Sequence, residues 1–250
     1  RLTTSASVVA LTDSHPLDIN KAIKTSGYLF HHFVTRATSE YAAAAYSKAF
    51  SIVLSANNFQ FDALFRAETT VGQIKLNRSD EKQTVSLAAE KLVSSIGIES
   101  RVASRLARAI DELVMNAIFD APRDNLGLPF RRRLDRKAVF KFESTELIRV
   151  GFAKGQEVSG ICVGDNWGSM DYSEVFSYLV QDFESAEYQG TKYEPGAGLG
   201  LYGVVKSGVS LAFHVVPRQS TQGMIFFANA KSNKAHKSAF QFVIMAGTVD

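Results

Sequence analysis

Three stretches of this chain carry residue types and spacings suited to chemistry. The first is Pro195-Gly196-Ala197-Gly198-Leu199-Gly200-Leu201-Tyr202-Gly203-Val204-Val205. Its glycines let backbone approach a ligand closely, and the apolar residues that follow have helical spacing. Free N–H groups and the positive dipole end at such a helix start suit a phosphate. A purely structural turn is the alternative for this stretch alone. The second pair is Glu112 and Asn116, one helical turn apart beside an apolar seam, with small Ala109 just before them. That spacing sets a carboxylate and an amide on the wall of a cavity, with two solvated side chains as the alternative. The third stretch is Gly164-Asp165-Asn166-Trp167-Gly168-Ser169-Met170. An aspartate just past a buried strand is a common place for a ligand-reading carboxylate, and an aspartate capping its own turn is the alternative.

The elements that must position these residues are legible in outline. Residues 1–70 read as strand, helix, strand, helix. Ser7–Leu11 is a strand, and Asp13 or Ser14 caps a helix with Pro16 in its first turn. Gly27–Val34 is a second strand, followed by an alanine-rich helix over Ser39–Phe50. This suggests a small α/β N-terminal unit. His31 and His32 point to opposite faces of their strand and cannot serve one metal. From Val71 the texture changes. Val71–Leu76 is a strand, a helix spans Asp80–Ser95 and stops at Gly97, and a second helix runs from Glu99 or Ser100 to about Phe119. Leu106, Ile110, Leu113, Val114 and Ala117 form its core stripe, and Pro122 ends it.

A basic loop then carries Arg131, Arg132, Arg133, Arg136 and Lys137. It reads as a solvated surface or as a phosphate or partner contact. Strands are expected at Ala138–Glu143, Leu147–Phe152 and Glu157–Gly164, a helix at Ser173–Phe183, and a polar stretch suited to a lid at Glu184–Glu194. Beyond the glycine stretch come strands at Val209–Val216 and Gly223–Ala230. A polar linker, Lys231–Lys237, leads to an extra C-terminal strand at Ala239–Ala246, with an edge-covering role as the structural guess.

Composition narrows the classes. The 250 residues are 46% hydrophobic and 21% charged, an ordinary globular balance. A net charge of +3 is too small to argue for nucleic acid or membrane binding. No apolar run approaches the roughly 20 residues that span a bilayer, and no signal-peptide pattern opens the chain. It starts at Arg1 rather than Met, which suits a trimmed piece of something longer. Cys162 is the single cysteine, so an internal disulfide is excluded. Its apolar setting reads as a buried strand thiol, and a cytoplasmic location is expected.

In this order, the Glu112-x-x-x-Asn116 helix, the strand-end Asp165 and the Gly196–Leu201 loop resemble the GHKL ATP-binding superfamily. That family holds gyrase-type ATPases, ninety-kilodalton chaperones, sensor histidine kinases and anti-sigma-factor serine kinases. Glu112 to Asn116 matches its N box, Asp165 to Met170 its first glycine box, and Gly196 to Leu201 its second. The resemblance covers about residues 71–230. It implies a two-layer α/β sandwich of the Bergerat type over 71–250, a mixed sheet with helices on one face, with residues 230–250 as an appended strand. It also implies Mg-ATP as ligand. Asn116 would hold Mg²⁺ and Glu112 would be the general base. Asp165 would read the adenine amino group, and Gly196, Gly198 and Gly200, with Leu199 and Leu201, would meet the phosphates under a lid of roughly 171–195.

Four positions depart from the family pattern, one of them Met224, since Gly223-Met224 stands where Gly-Thr is frequent in the family. Trp167 and Ser169 stand where the first glycine box has glycines; the resemblance implies that Trp167 and Gly168 would line the adenine pocket, with Trp167 stacking on the base or partly filling the space. Asp120 stands where many members have a basic residue near the phosphates. The run Asp111-Glu112-Leu113-x-x-Asn116-Ala117 is most similar in layout to the anti-sigma-factor serine kinases. The expectation is therefore a bacterial regulatory Mg-ATP-binding protein, a serine-kinase-like switch acting on a sigma-like or anti-anti-sigma-like partner. A homodimer is the expected self-association, and neither nucleic acid nor membrane is an expected partner. A non-catalytic nucleotide-sensing module and the ATP-binding domain of a larger histidine kinase are the alternatives.

Overall fold

A computed structural model of the chain describes residues 9–13, 19–25, 30, 32–36, 39–55, 60–65, 70–171, 175–177, 179, 199–206 and 208–247. The strands are β1 (Val9–Thr12), β2 (His32–Thr35), β3 (Thr70–Leu76), β4 (Ile148–Lys154), β5 (Val158–Asp165), β6 (Ser210–Val216), β7 (Ser220–Ala228) and β8 (Phe242–Gly247). They form one eight-stranded sheet in the order β1-β2-β8-β6-β7-β5-β4-β3. The β1–β2 and β6–β8 pairs are parallel and the others antiparallel, so the sheet is mixed and the architecture α/β. The strands of residues 1–70 continue this sheet through the β2–β8 pairing.

The central strands are apolar nearly throughout because both faces are covered. On β5, Ile161 and Val163 enter one core while Val158 and Cys162 enter the other. The Cys162 thiol is buried, and that burial pushes its pKa well up. Six helices are described: α1 (Ile19–Thr25), α2 (Ala42–Leu54), α3 (Lys82–Ile96), α4 (Ser100–Met115), α5 (Leu199–Lys206) and α6 (Asn233–Ala239). Helices α1, α3, α4 and α5 supply the first core, with Val85, Val93, Leu106, Ile110, Leu113 and Val204. The second core is closed by α2, the 3-10 turn Phe61–Phe65 and α6, around Phe226 and Phe242. The resemblance implied helices on one face, and here the opposite face is covered as well.

Local signals account for the helix ends. Gly97 stops α3 in the left-handed region (φ 74°), which an L side chain adopts at a cost. The turn before α3 is closed by Glu81, whose Oε2 accepts the N–H groups of Asn77 (2.6 Å) and Arg78 (3.3 Å). Helix α4 was expected to run regularly to Phe119. Instead it widens into a π-turn over Asn116–Asp120, closed by the Ala121 N–H on the Asn116 carbonyl (2.8 Å). Pro122 has no N–H with which to extend it, and such widened turns often mark functional sites.

Two other expectations are corrected. Ala138–Glu143 is not a regular strand. Ser79 donates to the Phe140 carbonyl and Phe142 to that of Asn77, but the neighbouring chain turns away at Ser79–Glu81 and leaves nothing further to pair with. Lys231–Lys237 is not a linker, because Ser232 caps α6 by accepting the Ala235 N–H (3.2 Å). The last strand accordingly starts at Phe242. It lies between β2 and β6 rather than at an outer edge.

Candidate functional site

Helix α4 crosses the sheet at a glycine. A Cβ on Gly223 of β7 would lie 3.3 Å from Leu113 Cδ2, so the absence of a side chain lets the helix settle on the strand. Gly223 pairs with Val163, and two residues along the same ladder Thr221 pairs with Asp165. The strand end carrying Asp165 therefore runs toward the end of α4, and the π-turn Asn116–Asp120 packs on β5. The turn after β5 is then tied to the helix end. Ser169 Oγ donates to the Ala121 carbonyl (2.8 Å), and Arg123 bridges the carbonyls of Asp120 and Ser169. Helix α5 packs on α4 from above the same core, through Leu201, Val204 and Val205.

Glu112 and Asn116 are each half-buried on this wall, and neither side chain has a hydrogen-bond partner among the described residues. Burial raises the Glu112 carboxyl above its ordinary value, opposed by the Arg136 cation and reinforced by Asp120 and Asp111. A carboxylate with raised proton affinity and a free face has the character of a general base. Asp120 does not stand unpaired beside it. Arg136 Nη2 reaches both its oxygens, at 3.0 and 3.1 Å, and Arg132 Nε stands 4.0 Å away.

Asp165 is buried, and burial pushes its carboxyl up to about 6, opposed by backbone N–H groups of Trp167 and Gly168. The Trp167 N–H is 2.8 Å from Oδ1. Thus Asp165 does cap its own turn. Gly168 adopts φ 57°, and a Cβ there would collide with the Val216 carbonyl. The Trp167 ring meets Phe130 edge-on (6.2 Å between centroids), and its Nε1 is buried without a partner. A buried unpaired donor in a native fold calls for an occupant or a water.

Of the residues singled out in the sequence, Glu112, Asn116, Asp165, Trp167 and Gly168 thus lie on two segments that touch. Leu199 and Gly200 open α5, and Leu201 is buried within it. Gly196, Gly198 and most of the lid stretch lie outside the described residues, as do His31 and the Pro16 turn. Arg136 and Ser169 gain roles that the sequence did not assign. Arg136 belonged to a basic run with no helical or strand period to aim it, and Ser169 was read as the replacement of a glycine. No protein-family model matches the chain, and no curated protein matches its sequence. Among the described residues no group of three or more His, Cys, Asp or Glu is arranged to hold a metal.

Proposed function

We propose that this chain is a GHKL-type regulatory protein that binds Mg-ATP between the end of α4, the turn after β5 and the start of α5. The observation that carries this reading is the packing of the π-turn that begins at Asn116 on the strand that ends at Asp165, joined by Ser169 on Ala121. In this reading the Glu112 carboxylate and Asn116 amide face the same ligand as the buried Asp165 and the unpaired Trp167 indole N–H.

The residues present fit the ligand. An uncommitted Asn116 amide suits Mg²⁺, which takes a few oxygen ligands and shares the rest with phosphates and water, so a dedicated carboxylate cage is not required. Mg²⁺ would supply charge neutralisation across the phosphates. Glu112 would take the proton from an attacking hydroxyl, of a partner serine or of water. Asp165 would accept the adenine amino group, and Trp167 would offer a stacking face. The α5 N-terminus would direct its N–H groups at the phosphates. Arg136 pairs with the Asp120 carboxylate, and its positive charge offsets the repulsion that an acid at this position would otherwise exert on phosphate.

The reading closest to this layout is a serine-kinase-like switch of the anti-sigma type. A second reading, nucleotide sensing without phosphoryl transfer, is favoured by a specific observation. Trp167 is packed against Phe130 and Ser169 is committed to Ala121, which stiffens a turn that the resemblance makes glycine-rich. Calorimetric titration with ATP, with and without Mg²⁺, tests both. Heat of binding that depends on Mg²⁺ supports the ATP site. Hydrolysis or transfer that disappears in Glu112→Gln separates the kinase reading from the sensor.

A further inference from the structure

The loop from Arg123 to Val139 inverts the usual surface pattern. Nine large apolar side chains are exposed among the described residues, and five of them fall here: Leu126, Leu128, Phe130, Leu134 and Val139. Leu126 and Leu128, 83% and 58% exposed, stand at the tip. The tip is closed on itself. Asp124 Oδ1 accepts the N–H groups of Leu126 (2.9 Å) and Leu128 (2.8 Å). Asp124 N donates to the Leu128 carbonyl and Gly127 N to that of Asp124, both at 2.9 Å. Four of its backbone donors, those of Asp124, Leu126, Gly127 and Leu128, are thus satisfied internally while its leucines are exposed.

The loop is also cationic. Residues 123–137 hold six Arg or Lys against two Asp, a local excess that the chain's overall +3 conceals. Arg131 is spent on Glu146 at 2.8 Å, and Arg136 and Arg132 face Asp120. Arg133 and Lys137 are exposed and have no ion pair among the described residues. Among the described residues the Asp124 and Asp135 side chains bond only to backbone N–H groups and keep their charges, and the six cations still leave the loop net positive.

We propose that this loop docks on an anionic lipid surface, with Leu126 and Leu128 entering the acyl boundary and Arg133 and Lys137 meeting headgroup phosphates. The charge complementarity names the occupant. A tip in which both leucine N–H groups are already bonded lets those leucines enter a low-dielectric layer without stranding them. Leucines flanked by cations combine the two attractions that hold peripheral proteins at such surfaces. The inference is independent of the ATP reading.

The test is co-sedimentation of the full chain with phosphatidylcholine vesicles carrying about one-third phosphatidylserine, beside vesicles of phosphatidylcholine alone. The chain is expected to sediment with the anionic vesicles and to be released by salt. The double variants Leu126→Ser/Leu128→Ser and Arg133→Ser/Lys137→Ser are each expected to lower the partition coefficient by more than about tenfold, with unchanged circular dichroism and Tm. Failure of the unaltered chain to bind anionic vesicles at low salt overturns the proposal, as does binding that both variants retain. A dimer seen by light scattering, lost in the leucine variant and unaccompanied by vesicle binding, overturns it in favour of a second copy as occupant.

Discussion

Arg136 Nη2 sits 3.0 and 3.1 Å from the two carboxylate oxygens of Asp120, with the Arg136 guanidinium lying 5.0 Å from the Phe119 ring centroid. Under the proposed ATP reading an acid here would repel phosphate, and this pairing offsets that effect. Replacing Arg136 with Ala is expected to weaken ATP binding roughly tenfold by exposing Asp120. Global stability should change by about 1 kcal/mol or less, since the pair is solvent-accessible. Adding Asp120→Ala to the same chain should restore most of the lost affinity. Titration of the three variants checks the order.

Glu112→Gln is expected to lower hydrolysis or phosphoryl transfer by roughly 10²–10⁴-fold, the range of general-base catalysis, with ATP affinity changed only severalfold. The pH profile carries the sign. Because burial holds the Glu112 proton more tightly than usual, activity should rise with pH along a limb above the ordinary glutamate range. Arg136 favours the carboxylate, so Arg136→Ala should push that limb to higher pH.

Asp165 gives a stability signature. Its folded pKa, about 6, is raised above the unfolded value, so its favourable contribution is complete below about pH 4 and is lost as pH rises through about 6. Asp165→Asn keeps an acceptor for the Trp167 N–H without the charge. The difference in Tm between variant and unaltered chain is expected to move in the variant's favour from pH 4 to 7 and to level off above. Thermal unfolding across that range decides it, and a difference that stays flat with pH contradicts the account.

Gly168→Ala is expected to destabilise by about 1–3 kcal/mol or more, since it combines a left-handed φ with a collision on the Val216 carbonyl. ATP affinity should fall with it because the turn also carries Trp167. Denaturant unfolding and ATP titration of the one variant measure both effects.

What could be read from the sequence follows from how local each signal was. The α4 stripe and its Glu112–Asn116 face depend on a period of 3.6, and Gly97 on a local stop, so both were readable. The run of 138–143 alternates like a strand, but a strand needs a partner, and Ser79–Glu81 withdraws it. Ser232 is a competent cap that a polar, lysine-rich stretch disguised as linker. At the site, the helix and turn residues were visible singly. Their meeting depends on Gly223 accepting Leu113 and on Ser169 reaching Ala121, contacts 110 and 48 positions apart that no local pattern encodes. The Arg136–Asp120 pair was hidden for the same reason: an irregular loop has no period to say where its cations point.

Trp167 is the chain's only tryptophan, so its fluorescence reports on the candidate site alone. The most direct measurement is its emission during titration with ATP and Mg²⁺, with calorimetry on the same samples. Saturable quenching or enhancement with a Kd below about 1 mM, weakened without Mg²⁺ and largely lost in Asn116→Ala, is the expected result. No change in emission and no heat of binding up to several times about 1 mM ATP would contradict the account.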